Sequence, residues 1–301
     1  MRTRITKKPK LNSPDLIACW PGIGNVGIIV AETLRRQLQA KEMGYIEPWD
    51  FFYPDKVTIQ DGHLISLEFP RSNFYYARTD KRDILFFLAD EQSSDGYSRY
   101  AEGTKAYQMA NMVLDVAQKF GCRRVYTSGA AVTQVHHGAR SKVWAVPNAK
   151  HMLSEFKKYP NTVIMSDIED KVDNVRITGM NGVMLGVAKN RGLAGICLMG
   201  EVPVYLQGLP FAYPRAAKSV IEVLSTILDV DIDFTRLNRL AARTEKEIER
   251  LYKHLPKATK QLIDKLAKSS EPADTGPITE DDKKQILDEI DRFFKKESED
   301  D

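Results

Sequence analysis

The chain has 301 residues, with 44 Lys+Arg against 41 Asp+Glu, a formal charge of +3, 43% hydrophobic and 28% charged residues. That is the composition of a globular protein of one large or two small domains, and it excludes collagenous, disulfide-stapled and wholly disordered classes. No run reaches the ~18 apolar residues of a membrane span, and residues 1–10 lack the apolar core of a secretion signal, so a cytoplasmic protein with no membrane partner is expected.

Charge gathers at the two ends. Residues 1–10 carry five basic and no acidic side chains, 269–301 carry a net of −7, and the middle is +5, too mild a surplus to imply nucleic acid. Cys19, Cys122 and Cys197 are scattered in or beside apolar runs and read as reduced core thiols rather than disulfides or metal ligands.

From residue 16, short apolar runs alternate with segments of helical period, the pattern of an α/β domain with a mostly parallel, mixed sheet. Leu16-Ile-Ala-Cys-Trp20 reads as a strand. Pro21 to Gly27 is a glycine turn, and Val26, Ile29, Val30, Leu34 and Leu38 then recur at helical spacing. Lys56–Ile59 and His63–Phe69 alternate around Asp61-Gly62, a hairpin signal. Asp83–Ala89 is a near-continuous apolar strand, and Asp90 to Ser98 a loop leaving its C-terminal end.

A helix is expected over 99–120, then a strand opening at Arg124–Thr127 with a glycine turn at Thr127-Ser-Gly129. Strands follow at Val143–Val146 and Thr162–Met165, separated by a helix near 149–158. Gly182–Asn190 is a small-residue helix, Leu193–Met199 a buried strand, and Pro214–Leu228 a helix with proline in its first turn. The domain plan is then a flexible basic N-terminus at 1–14, an α/β core at 15–234 and an amphipathic helical extension at 235–268. A linker at 269–278 and a terminal amphipathic helix with an acidic tail at 279–301 complete it.

Gly22-Ile-Gly24-Asn-Val-Gly27 is a literal G-x-G-x-x-G between a strand and a helix, with Glu47 twenty residues beyond. Its chemistry in a dinucleotide enzyme is a backbone cradle for pyrophosphate with a carboxylate on the ribose. The competing reading is that the glycines permit a tight turn and close packing. His136-His137-Gly-Ala-Arg140 sets a cationic or proton-transferring cluster near a sheet edge, and Asp90, Glu91 and Glu201 follow expected strands, where carboxylates hold metals, cationic partners or loop amides. No Walker, G-x-S-x-G, H-E-x-x-H or paired C-x-x-C motif occurs.

Four elements in order resemble the proteasome assembly chaperone 2 family, met also in archaea and bacteria. They are Pro21-Gly-Ile-Gly-Asn-Val-Gly27, Ile177-Thr-Gly-Met-Asn-Gly182, Leu198-Met-Gly-Glu-Val-Pro203 with Tyr205, and Tyr213-Pro-Arg-Ala-Ala217, within a match over roughly 15–255. The resemblance implies a three-layer α/β/α domain, similar to the phosphorylase/hydrolase-like fold, with a C-terminal helical extension.

It also implies a homo-oligomer, with a trimer favoured, that acts as a non-catalytic protein-binding scaffold without a cofactor, its partners including proteasome subunits. The candidate binding or assembly residues are Gly22, Gly24, Asn25, Gly27, Asn181, Glu201 and Tyr205 within these elements, together with Asp90, Glu91, His137 and Arg140, which follow expected strands. Some archaeal relatives reach the proteasome through a terminal hydrophobic-Tyr-X tail, from which Ser298-Glu-Asp-Asp301 departs. Some members carry an ATP-grasp label, for which no glycine-rich lid with an adjacent lysine is present. The alternative is a hydrolase or ATP-dependent ligase with its site at the C-terminal ends of the strands.

Overall fold

A computed structural model describes residues 2–94, 103–164 and 176–269. The strands are β1 (Thr3–Ile5), β2 (Asp15–Cys19), β3 (Lys41–Ile46), β4 (Lys56–Gln60), β5 (His63–Glu68), β6 (Ser72–Ala77), β7 (Ile84–Ala89), β8 (Arg124–Thr133), β9 (Val143–Pro147), β10 (Thr162–Ile164) and β11 (Ala194–Pro203). The helices are α1 (Val26–Gln37), α2 (Gly103–Lys119), α3 (Leu153–Phe156), α4 (Met180–Asn190), α5 (Pro214–Leu228), α6 (Thr235–His254) and α7 (Lys257–Ser269).

Nine strands form one sheet in the order β1-β3-β6-β7-β2-β8-β11-β9-β10. Its centre, β7-β2-β8-β11, is parallel, and antiparallel pairs flank it on both sides. Strands β2 and β7 are buried at every residue, which is why they read as continuous apolar runs: helices cover both faces. Ile17 and Cys19 face a core shared with α1 and α5, whereas Leu16, Ala18 and Trp20 face a second core shared with α2 and α4. Two apolar layers sandwich the sheet, and the three-layer α/β/α expectation holds.

Three expectations are corrected. The basic N-terminus is not free along its length: Thr3–Ile5 pairs antiparallel with Gly44–Ile46, because Ile5 alone among basic neighbours supplies an apolar side chain to the α2 core. Thr127-Ser-Gly129 is not a turn. Strand β8 runs on to Thr133, its whole length paired with Ala194–Pro203 of β11, and that ladder outweighs the turn tendency of small residues. Glu201 accordingly does not follow its strand but lies within β11.

The hairpin at Asp61-Gly62 forms, with both residues at positive φ of 50° and 76° as a two-residue turn requires. Helices α6 and α7 pack Leu237, Ile248, Leu251, Leu262 and Ile263 into the α1/α5 core. The three cysteines are buried and unpaired. The expected linker and terminal helix from residue 270 on, the first residues of the 99–120 helix and most of the Asp90–Ser98 loop's far end lie outside the described residues.

Candidate functional site: the glycine turn and its histidine–tyrosine roof

The chain leaves β2 through Trp20-Pro21 and enters α1 through a 3-10 turn at Ile23–Asn25. Gly24 has φ 59° and Asn25 φ 50°, left-handed values that favour glycine and asparagine. A Cβ on Gly24 would stand 2.8 Å from Tyr213 Cβ, and one on Gly27 would stand 2.4 Å from the Ser128 carbonyl oxygen. The close approach that these glycines allow is therefore made by protein atoms. Tyr213 N–H also donates to Gly24 O at 2.8 Å, which fastens the turn to the start of α5.

The far half of the dinucleotide fingerprint does not assemble. Glu47 follows β3, which β6 and β7 separate from β2, a spacing of about 14 Å across three strand intervals. Its Oε1 accepts from Arg4 Nε at 2.6 Å, so it helps hold β1 in place.

Over the turn sits a network on the loop after β8. Tyr205, in the 3-10 turn that ends β11, accepts from the His137 backbone N–H at 2.7 Å and lies 2.7 Å from His137 Nδ1. Having accepted the amide, the phenol still has its own proton to give, and Nδ1 of a neutral imidazole is placed to accept it. His137 is thus held neutral as an acceptor. Burial pushes its pKa from 6.5 down to about 4, with His136 and Arg215 adding positive charge nearby. Burial likewise raises Tyr205 well above the ordinary phenol range and Tyr213 to about 12, so both keep their protons.

Arg215, two residues into α5 from Tyr213, closes the network. Its Nη1 donates to the carbonyls of His137, Gly138 and Ala139 at 3.0, 3.0 and 3.2 Å, and its Nε to Glu245 Oε1 of α6 at 3.1 Å. One guanidinium joins loop, core helix and helical extension. Tyr252 of α6 stacks near His137, centroids 6.1 Å apart, and donates to Asp264 of α7 at 2.6 Å.

Beneath the turn, Gln92 bridges two loops: Nε2 donates to Pro21 O at 2.6 Å, and Oε1 accepts from Met180 N–H at the start of α4 at 3.0 Å. Asn181 Nδ2 donates to Ser128 O at 3.0 Å. Three buried polar atoms beside these loops, Ser93 Oγ, Ser128 Oγ and Asn181 Oδ1, have no partner among the described residues.

Of the residues singled out from sequence, Gly24 and Tyr205 with His137 join through Tyr213, and Gly27 meets Asn181 through Ser128. Gly22 and Asn25 lie in the turn itself, Asn25 N–H donating to Gly22 O at 2.9 Å, whereas Asp90, Glu91, Arg140 and Glu201 stand apart. Glu201 accepts from Lys142 N–H at 3.0 Å and Trp144 Nε1 at 2.9 Å, which ties β11 to β9. Arg140 pairs with Glu222 at 3.1 Å, and Asp90 accepts from Arg71. Glu91 is pushed up by burial and by Asp55 and Asp90. Gln92, Arg215, Glu245 and Tyr252 were missed; for Arg215 the signal was present, inside Tyr213-Pro-Arg-Ala-Ala217.

Residues 16–252 match the model of the PAC2 family. The chain belongs to the PAC2 family. It is 29% identical over 254 residues to the Methanocaldococcus jannaschii protein MJ1210, covering 83% of this chain and 88% of that one. Among solved structures it is similar to Pyrococcus furiosus PbaB, an archaeal proteasome activator, at 26% identity and a TM-score of 0.67, over 83% of this chain and 98% of PbaB. Pyrococcus furiosus PbaA, an archaeal homologue of proteasome-assembly chaperone, shares the fold at 21% identity and a TM-score of 0.60, over 90% of this chain and 100% of PbaA.

Proposed function

We propose that this PAC2 protein is a proteasome-assembly-chaperone-like scaffold of the cytoplasm, a homo-oligomer that binds proteasome subunits without turning over a substrate. Membership of the PAC2 family and the likeness to PbaB, a proteasome activator, support the link to the proteasome. The glycine turn supports it, since Tyr213 and the Ser128 carbonyl occupy the approaches that a cofactor would need open. Three unpaired, buried thiols are compatible with a reducing compartment. The test is gel filtration of the full chain mixed at micromolar concentration with purified proteasome α- and β-subunits of its own host. Co-elution with one subunit type or with a half-assembled ring is expected, and separate elution from every subunit overturns the reading.

A second reading, a hydrolase or ligase with its site at the C-terminal ends of the strands, draws on the unpartnered Ser93, Ser128 and Asn181 atoms. A ligand that binds the native state must raise its stability, by about 2.7 kcal/mol at a hundredfold excess over Kd. Melting curves in saturating ATP or NAD test its nucleotide-binding form: an unchanged Tm removes these nucleotides as ligands.

A further inference from the structure

Strands β4 and β5 form their own two-stranded sheet apart from the nine-stranded one. Register puts Val57 opposite Leu67 on one face and Lys56 opposite Glu68 and Thr58 opposite Ser66 on the other, and a register shift between Thr58 and Ile59, which skips Ile65, then sets Ile59 opposite Leu64. The polar face is satisfied within itself, as Glu68 Oε1 accepts from Thr58 Oγ1 at 3.0 Å. The apolar face lies in water: Val57 is 52%, Ile59 68%, Leu64 62% and Leu67 50% exposed. At the base of the hairpin Trp49 is 64% and Tyr53 86% exposed, and the Trp49 ring meets Phe69 edge-on at 4.9 Å.

A lone two-stranded hairpin is at best marginally stable in water, and an exposed apolar strand face invites uncontrolled association. The four strand side chains offer on the order of 400 Å² of apolar surface, the size of the largest patch on a typical monomer, which is often functional, and about half of the ~800 Å² that one partner gives to a stable interface. The register places no charge on this face, so it selects for apolar shape rather than for an oppositely charged surface. Such a face needs permanent cover. A client that comes and goes leaves it bare between visits; a second copy of the same chain is always present.

We infer that the β4–β5 hairpin is the joint between copies of this chain, with the Val57/Ile59/Leu64/Leu67 face of one packed on a second copy. This rests on the homo-oligomeric part of the reading above. The triple variant Ile59→Thr, Leu64→Thr, Leu67→Thr keeps strand propensity while removing the apolar face. Light scattering during gel filtration at micromolar concentration should give the wild type a mass above the 34.1 kDa of one chain. The variant should fall to that value with an unchanged far-UV spectrum.

As a second measurement, Leu64→Cys introduces an exposed thiol beside three buried ones. A short bismaleimide should then link two chains, and should not link the wild type. A variant that keeps the wild-type mass, or a Leu64→Cys oligomer that cannot be linked, overturns the inference and leaves subunit binding untouched. A wild type that runs as one chain overturns both the inference and the homo-oligomeric part of the reading. Loss of proteasome-subunit co-elution in a triple variant of unchanged mass would make the hairpin a client surface and overturn the inference alone.

Discussion

The glycine turn with its roof and the β4–β5 hairpin use the same kinds of residue, glycines at the bend and apolar or aromatic side chains beside it, in opposite surroundings. At the turn, Tyr213, Tyr205 and Val26 are buried, and the bend is fastened from other elements by Tyr213 N–H on Gly24 O and Gln92 Nε2 on Pro21 O. At the hairpin, the bend at Asp61-Gly62 is closed only by its own two strands, and a Cβ on Gly62 would touch nothing. The difference separates what the chain uses to stay folded from what it holds ready for a second chain. Substitutions in the first region should be felt as stability, and substitutions in the second as association.

The sharpest way to break that division is Gly27→Ala. The new methyl would lie 2.4 Å from a backbone oxygen of β8, which cannot swing aside, so a loss of about 3 kcal/mol or more is expected in urea unfolding. A loss below about 1 kcal/mol would show the turn to be looser than described. Next is Arg215→Ala, which frees three loop carbonyls and leaves Glu245 without its guanidinium. We expect a cost of about 2–3 kcal/mol, with α6 and α7 exchanging amide hydrogens faster than the sheet. Uniform exchange across the molecule would mean that Arg215 does not hold the extension.

The histidine roof adds a pH signature of similar or smaller size. His137 is neutral in the fold with a pKa near 4, against 6.5 when unfolded, so between these values the unfolded chain binds more protons and stability falls as the pH drops. After allowance for its partial exposure this amounts to about 2 kcal/mol lost from pH 7 to pH 4. His137→Gln should flatten that acid limb, and an unchanged limb would assign the titration elsewhere. The smallest effect is expected at the hairpin: Ile59→Thr alone should move the unfolding free energy of the dissociated chain by within about 0.5 kcal/mol, and a larger change would mean that the hairpin is packed on its own domain.

Much of the fold was legible because period reports burial. Strands β2 and β7 declared themselves as unbroken apolar runs, α5 by its proline start, and the hairpin by Asp-Gly between alternating residues. Strand β1 was hidden, since a single Ile5 among basic side chains carries no visible period. The far half of β8 was hidden by Ser128-Gly-Ala-Ala131, which reads as a turn until a ten-residue partner strand is alongside. Within the site, His137 and Tyr205 were each noticed, but 68 residues of chain separate them, and no local pattern announces that a phenol caps an imidazole. Gln92 and Glu245 gave no signal, because ordinary polar residues acquire a role only through the partner they reach.

From its residues alone the chain committed to alternating buried strands and amphipathic helices, to a glycine bend between β2 and α1, and to buried thiols, since each depends on local spacing and on the hydrophobic effect. Tertiary structure alone decided that Tyr213 fills the glycine bend, that Glu47 is drawn to Arg4 and away from the first turn, and that the Val57–Leu67 face is left in water. Those outcomes depend on which strand lies next to which, and strand order arises from long-range packing that no short stretch of sequence encodes.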